Sequence, residues 1–228
     1  MALSGVWLVV AYPWAAGAEI WAQVVRSLAA AALGYWLIAA IADAHSLEAA
    51  GAKILRSLED GALGTHDAPF EGTVALDGNL TLALLEEISN SPLFAKADLR
   101  VAPASPGKAE RLLPLMNHDS ATLYVNLEEA GLLLKQEFET ASDAALALTK
   151  RGAARAMVSD GGRAAAFAVG DKVISEAPPE VMVTRVTGAG DTFMAAHIAA
   201  ELRGDTGVTA LHTALIAAAN YVSGNSPQ

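Results

Sequence analysis

From Ile38 onward the chain alternates short apolar runs with longer stretches rich in Ala and Leu. The short runs predict strands over 35–42, 73–76, 99–102, 122–125, 154–158 and 164–169. The longer stretches predict helices over 47–57, 80–89, 108–115, 128–135, 141–151, 191–202 and 208–222. Strands that alternate with helices at this spacing imply βαβ units around a mainly parallel sheet. In such sheets ligands collect beyond the carboxyl ends of the strands, so the loops there are searched first. No repeat, low-complexity tract or long linker interrupts the pattern, and the segments 66–72 and 105–107 read as ordinary loops.

Residues 1–42 differ in character, being almost uncharged and holding all four tryptophans. Within them, 27–42 is apolar throughout, yet shorter than the roughly 20 residues that span a bilayer. A buried helix followed by a buried strand is the preferred reading, and a membrane role is disfavoured. The start of the chain also has no Lys or Arg ahead of its apolar stretch, as an export signal would. A cytoplasmic protein is therefore expected.

The 228 residues are 53% hydrophobic, enough for one substantial α/β domain or two small ones. A net charge of −10 without a long basic run argues against a nucleic-acid partner. It also means that a bound phosphate must be held by local geometry. With no cysteine, thiolate catalysis, disulfides and Cys-based zinc sites are excluded. The five histidines show no metal-ligand spacing, so a metal, if used, is a hard cation held by oxygen, such as magnesium.

Residues 184–196 read TRVTGAGDTFMAA. Gly188, Ala189 and Gly190 put nearly bare backbone amides at a helix start, where the helix dipole favours an anion. Asp191 beside them would repel a phosphate unless it faces something else. As a general base it would face a substrate hydroxyl while the amides face the phosphoryl group. The competing explanation is a glycine turn with Asp191 as an ordinary first-turn acid.

Asn126 and Glu129 follow a strand-like TLYV, where a carboxylate and an amide could hold magnesium through water. They equally match a capping box, with Asn126 as N-cap and Glu129 at N3. Ser159-Asp160-Gly161-Gly162 lets backbone approach a nucleotide, and is at the same time a hairpin turn built on Asp-Gly. Small side chains over 214–224 would border an adenine slot or pack a C-terminal helix. Asp77-Gly78-Asn79 ends an apolar strand, as a site loop or a turn.

The order of these elements carries more than any one of them. An Asn-x-x-Glu, a glycine turn, a Gly-Ala-Gly-Asp and a small-residue closing helix resemble the C-terminal half of the ribokinase-like PfkB carbohydrate and nucleoside kinases. The resemblance runs from about Leu99 to Gly224 and extends back toward Ile38. The run Val186-Thr187-Gly188-Ala189-Gly190-Asp191 is most similar to the pseudouridine kinase branch. Many sugar kinases instead carry an Asp and two threonines where Arg185, Val186 and Thr187 stand here.

The resemblance implies a three-layer α/β/α fold and phosphoryl transfer, dependent on ATP and Mg2+, to a hydroxyl of a small sugar or nucleoside. Asp191 would be the base, with Gly188, Ala189 and Gly190 as the anion hole. Asn126 and Glu129 would organise metal and phosphate, while Ser159, Gly161, Gly162, Thr187 and Asn220 would line the nucleotide. Asp43, Asp77 and Asn79 are the acceptor-side candidates. The whole chain, 1–228, is expected to form one domain, with 38–228 as the kinase-like core and 1–37 as an atypical apolar segment. No Gly-Gly-Asn-like sugar-binding turn occurs in residues 1–60, so the acceptor-binding region and β lid read as missing or replaced. The alternative is a truncated, non-catalytic nucleotide-binding or interaction module of the same fold. An apolar N-terminus also suits burial in a partner subunit, a homodimer being the expected assembly.

Overall fold

A computed structural model describes residues 64–65 and 67–224. The strand expected over 35–42, the helix over 47–57, the segment 1–37 and Asp43 lie outside the described residues.

The described chain builds one six-stranded sheet whose spatial order follows the chain order. The strands are β1 (Thr73–Asp77), β2 (Asp98–Ala102), β3 (Thr122–Asn126), β4 (Arg155–Ser159), β5 (Ala165–Val169) and β6 (Lys172–Glu176). The first four pair in parallel. The last two fold back as antiparallel hairpins. Five helices accompany them: α1 (Leu82–Asn90), α2 (Leu127–Leu134), α3 (Ala141–Arg151), α4 (Ala189–Leu202) and α5 (Val208–Ser223).

Strand side chains alternate between faces, and that period of two divides the core in half. Leu99, Val101, Leu123, Val125, Ala156 and Val158 point to one face, against α1, α2 and α3. Tyr124, Met157 and Phe167 point to the other, against Phe193 and Met194 of α4 and Leu211 and Leu215 of α5. Connections that stay on one face move each new parallel strand outward in the same direction, which gives the order β1-β2-β3-β4. The result is the expected three-layer α/β/α arrangement.

The five expected strands within the described residues match to within one residue at either end. Two features differ. The helix expected over 108–115 is a 3-10 segment, Pro106–Asn117, with Pro106 in its first turn and Pro114 inside it. Pro114 has no N–H to give and its ring crowds the preceding turn, so a regular α-helix cannot run through it. The strand β6, Lys-Val-Ile-Ser-Glu, is not among the expected elements, because a run this short and mixed carries little period-two signal. Its pairing with β5 supplies the order instead.

Beneath α4, near the amino ends of the parallel strands, lies a buried polar network. Arg100 Nη1 donates to Tyr124 Oη at 3.0 Å, and Arg100 Nη2 pairs with Asp98 at 2.6 Å. Arg100 also pairs with Glu201 of α4, and Arg155 with Asp98. The Tyr124 hydroxyl shares a 2.8 Å hydrogen bond with His197 Nδ1. His197 is fully buried, and its Nε2 has no partner among the described residues. Burial pushes His197 down to about 4, against the pull of nearby Glu201, so the ring is neutral at pH 7. Among the described residues no helix is long and apolar enough to cross a membrane.

Candidate active site

The parallel strands all end on one side, and the residues singled out in the sequence gather there. Asp77 closes β1, Asn126 closes β3 and Ser159 closes β4. Asn126 and Ser159 are register partners, so the Asn-x-x-Glu element and the glycine turn begin side by side.

The TGAG run turns directly into α4. Gly188 is the N-cap, with φ +91°, a left-handed conformation that costs glycine nothing and other residues dearly. A Cβ at Gly188 would also lie 2.5 Å from the Tyr221 hydroxyl, so space excludes it as well. The first i→i−4 bond of the helix runs from Thr192 N to Gly188 O at 3.0 Å. The amides of Gly190 and Asp191, ahead of that bond, have no intrahelical acceptor and sit at the positive end of the dipole. Asp191 itself is exposed, in the first turn.

Next to this helix start opens a cavity of about 560 Å3. Ser159, Gly161 and Gly162 form one wall, and Ala189, Gly190 and Phe193 of α4 another. Ala218, Ala219 and Val222 of α5 form a third, as the small-residue helix suggested, and the strap Pro178–Val183 forms the rim. The slot is thus apolar along its length, with exposed amides at the α4 end. A flat aromatic base in the slot would put its phosphate chain toward Gly190. Thr187 and Asn220 do not line the slot. Both are exposed, Thr187 directly before Gly188 and Asn220 on α5.

At the carboxyl end of β1, Asp77 accepts from Asn79 twice, backbone N and side-chain Nδ2 both at 2.9 Å. Lys108 Nζ donates to Asn79 Oδ1, and Arg111 Nη1 donates to Gly78 O at 3.0 Å. Gly78 fits here because a Cβ would lie 2.3 Å from Pro103 O. Burial raises the Asp77 carboxyl above the usual range, while Asn79 and Lys108 pull it down. Asp191 lies near enough for its charge to add to the rise.

Asn126 and Glu129 make the full capping box on α2. Glu129 N donates to Asn126 Oδ1, and Asn126 N to Glu129 Oε2, each at 2.8 Å. Glu129 is buried, and burial, with Glu128 nearby, raises its carboxyl. Among the described residues no three His, Cys, Asp or Glu side chains cluster to hold a metal. A magnesium ion held mostly by water and nucleotide phosphates needs no such cage, and the capping box leaves Glu129 Oε1 for a bridging water. The donor set therefore fits an ion held at one remove.

The strap Pro178–Val183, the Phe193 wall, and Lys108 beside Asn79 are not among the residues singled out in the sequence. The double proline of PPEVMV marks an extended, irregular segment in the sequence, and the structure leaves Val181 and Val183 exposed along the slot. Lys108 has no sequence signal, because it reaches Asn79 only through the fold.

A mainly parallel sheet between two helical layers, ending in an amide-rich helix start and an apolar slot, defines a ribokinase-like α/β protein. The model of the pfkB family of carbohydrate kinases matches residues 70–228, and the chain belongs to that family. Among solved structures, a carbohydrate kinase from Agrobacterium tumefaciens is 25% identical, with TM-score 0.62 over 78% of this chain and 55% of its own. Adenosine kinase from Schistosoma mansoni in complex with 2-fluoroadenosine is 18% identical, with TM-score 0.57 over 68% and 52%. Ribokinase from Thermotoga maritima is 19% identical, with TM-score 0.52 over 69% and 51%. The chain spans about half the length of the solved structures it matches. No curated protein matches it.

Proposed function

We propose that the chain transfers a phosphoryl group from ATP to a hydroxyl of a sugar or nucleoside. The observation that carries this reading is the start of α4, where Gly190 lines the slot and Asp191 stands exposed in the first turn of the same helix. Adenine would enter the slot between the Ser159–Gly162 turn and α5, and the amides of Gly188, Gly190 and Asp191 would receive the phosphates, Ala189 N already donating to Val186 O at 3.0 Å. The acceptor would lie between Asp191 and the Asp77–Asn79–Lys108 cluster.

Asp191 takes the hydroxyl proton as the acceptor oxygen bonds to the γ-phosphorus. The bond from that phosphorus to the bridging oxygen breaks, and ADP leaves. Magnesium, when bound, would neutralise phosphate charge, and Asn126 and Glu129 would hold its waters. The Val-Thr-Gly-Ala-Gly-Asp run makes pseudouridine the first acceptor to try. Residues 38–228 would form the kinase core of a single domain, working in the cytoplasm.

The test is phosphate transfer from ATP with magnesium to pseudouridine, uridine, ribose, fructose and no acceptor, with Asp191→Asn run beside wild type. Acceptor-dependent turnover lost in Asp191→Asn supports the reading and names the substrate class. ATP binding without turnover on any acceptor would instead favour a non-catalytic nucleotide-binding module.

A further inference from the structure

The amide cradle stands at the end of an exposed loop, and what holds it still is α5 rather than the sheet. Thr184 N and Arg185 N both donate to Val222 O, at 2.8 and 3.1 Å. Arg185 Nε donates to Tyr221 O at 2.8 Å, and its guanidinium lies 3.9 Å from the Tyr221 ring centroid. The Tyr221 hydroxyl in turn donates to Thr187 O at 2.8 Å. We infer that Tyr221 is a positioning residue for the phosphate cradle, with its phenol fixing the Thr187–Gly188 peptide and Arg185 stacked on the ring to hold the phenol in place.

The physical step is the planarity of the peptide. No peptide bond in the described chain is cis. In a trans peptide the C=O and N–H point in opposite directions, so a hydroxyl that anchors Thr187 O also aims Gly188 N–H away from α5. Without that anchor the peptide can rotate about its flanking bonds, freely so at Gly188 because glycine permits it. The glycine that gives the cradle its bare amides thus makes the loop loose, and the tyrosine restores the orientation. The missing Cβ at Gly188 belongs to the same device, since it is what lets the hydroxyl approach. No local sequence pattern marks the clamp, because Arg185 and Tyr221 stand 36 positions apart.

This inference rests on the cradle holding phosphate, so the experiment separates the two. The full chain and Tyr221→Phe, which keeps the ring and loses only the hydroxyl, are titrated calorimetrically with ATP and with adenosine. ATP affinity is expected to fall about five- to tenfold, the scale of one hydrogen bond, with adenosine affinity unchanged. Unchanged ATP affinity, or equal losses for both ligands, would overturn the role. Hydrogen exchange of the ligand-free protein reads the anchor directly. Exchange at 187–192 should speed up in Tyr221→Phe while that of β4 and β5 stays the same, and unaltered exchange at 187–192 counts against the anchor. If wild type binds neither ligand, the nucleotide reading fails and the exchange result alone decides the anchor. Should Tyr221→Phe not fold, Arg185→Gln on the exposed face should show the same ATP-selective loss in weaker form, and its absence rejects the clamp.

Discussion

The two ends of α4 are built on opposite principles. Its last turn places Glu201 against the buried Arg100, within a network whose charges are matched by partners. Its first turn places Asp191 in the open beside bare amides, within electrostatic reach of Asp77. Charges at the far end are paired because α4 covers them. At the near end the chain leaves charge and amides uncompensated, the condition under which a substrate supplies the compensation. A single helix, with Phe193, Met194, His197 and Ala200 buried along one stripe, ties both ends to the same sheet face.

Asp191→Asn breaks the near end. Transfer should fall by about 10^2- to 10^4-fold, the range of a lost general base. Stability should change by less than about 0.5 kcal/mol, since the side chain is exposed. Steady-state kinetics beside urea unfolding separates the two, and a large loss of stability would mean that Asp191 is structural. Glu201→Ala breaks the far end with the opposite signature. It removes one of the two carboxylates paired with the buried Arg100, which keeps Asp98 and Tyr124, and should cost about 2 kcal/mol in urea unfolding while ATP affinity holds. Weakened ATP affinity there would show that the two ends are not independent.

The next effect is set by pH. His197 is held to about 4 in the folded protein against an unfolded value of 6.5. Between those values the unfolded chain binds a proton that the folded one refuses, so stability is present above about 6.5 and drains away as pH falls toward 4. The full loss is roughly 3 kcal/mol. Asp77 and Glu129 slope the other way, because their carboxyls are raised in the folded state. The difference between wild type and His197→Phe isolates the histidine. Parallel stability profiles across that window would remove the assignment.

Much of this architecture is legible in the amino-acid order alone. Apolar alternation places the five described strands that were expected, because they are short, apolar runs in which period and composition agree. The turn of Gly188–Asp191 into α4 and the Ser159–Gly162 turn are legible for another reason, since glycines beside an acid mark a turn or a helix start. What stays hidden depends on distance along the chain. Lys108 meets Asn79 across 29 positions, and Glu201 meets Arg100 across 101, so no local pattern records either pairing. Prolines hide the 3-10 nature of 106–117, because the apolar spacing that suggests a helix is nearly the same at three residues per turn.

The smallest effect concerns the one motif with two readings. Asn126 and Glu129 cap α2, and whether they also serve the metal cannot be judged from Asn126→Ala alone. That change should cost about 1 kcal/mol of stability by removing the cap, whatever else it does. Asn126→Ser keeps a good N-cap oxygen and drops the amide, so stability should return to within about 0.5 kcal/mol of wild type. Glu129→Gln likewise keeps an oxygen that can accept from Asn126 N, and removes only the charge. Any rise in the magnesium concentration needed for half-maximal transfer in these two variants is then free of the capping effect. We expect such a rise, larger in Glu129→Gln than in Asn126→Ser, because the carboxylate rather than the amide attracts the ion's water shell. An unmoved magnesium requirement in both would reduce the pair to a helix cap.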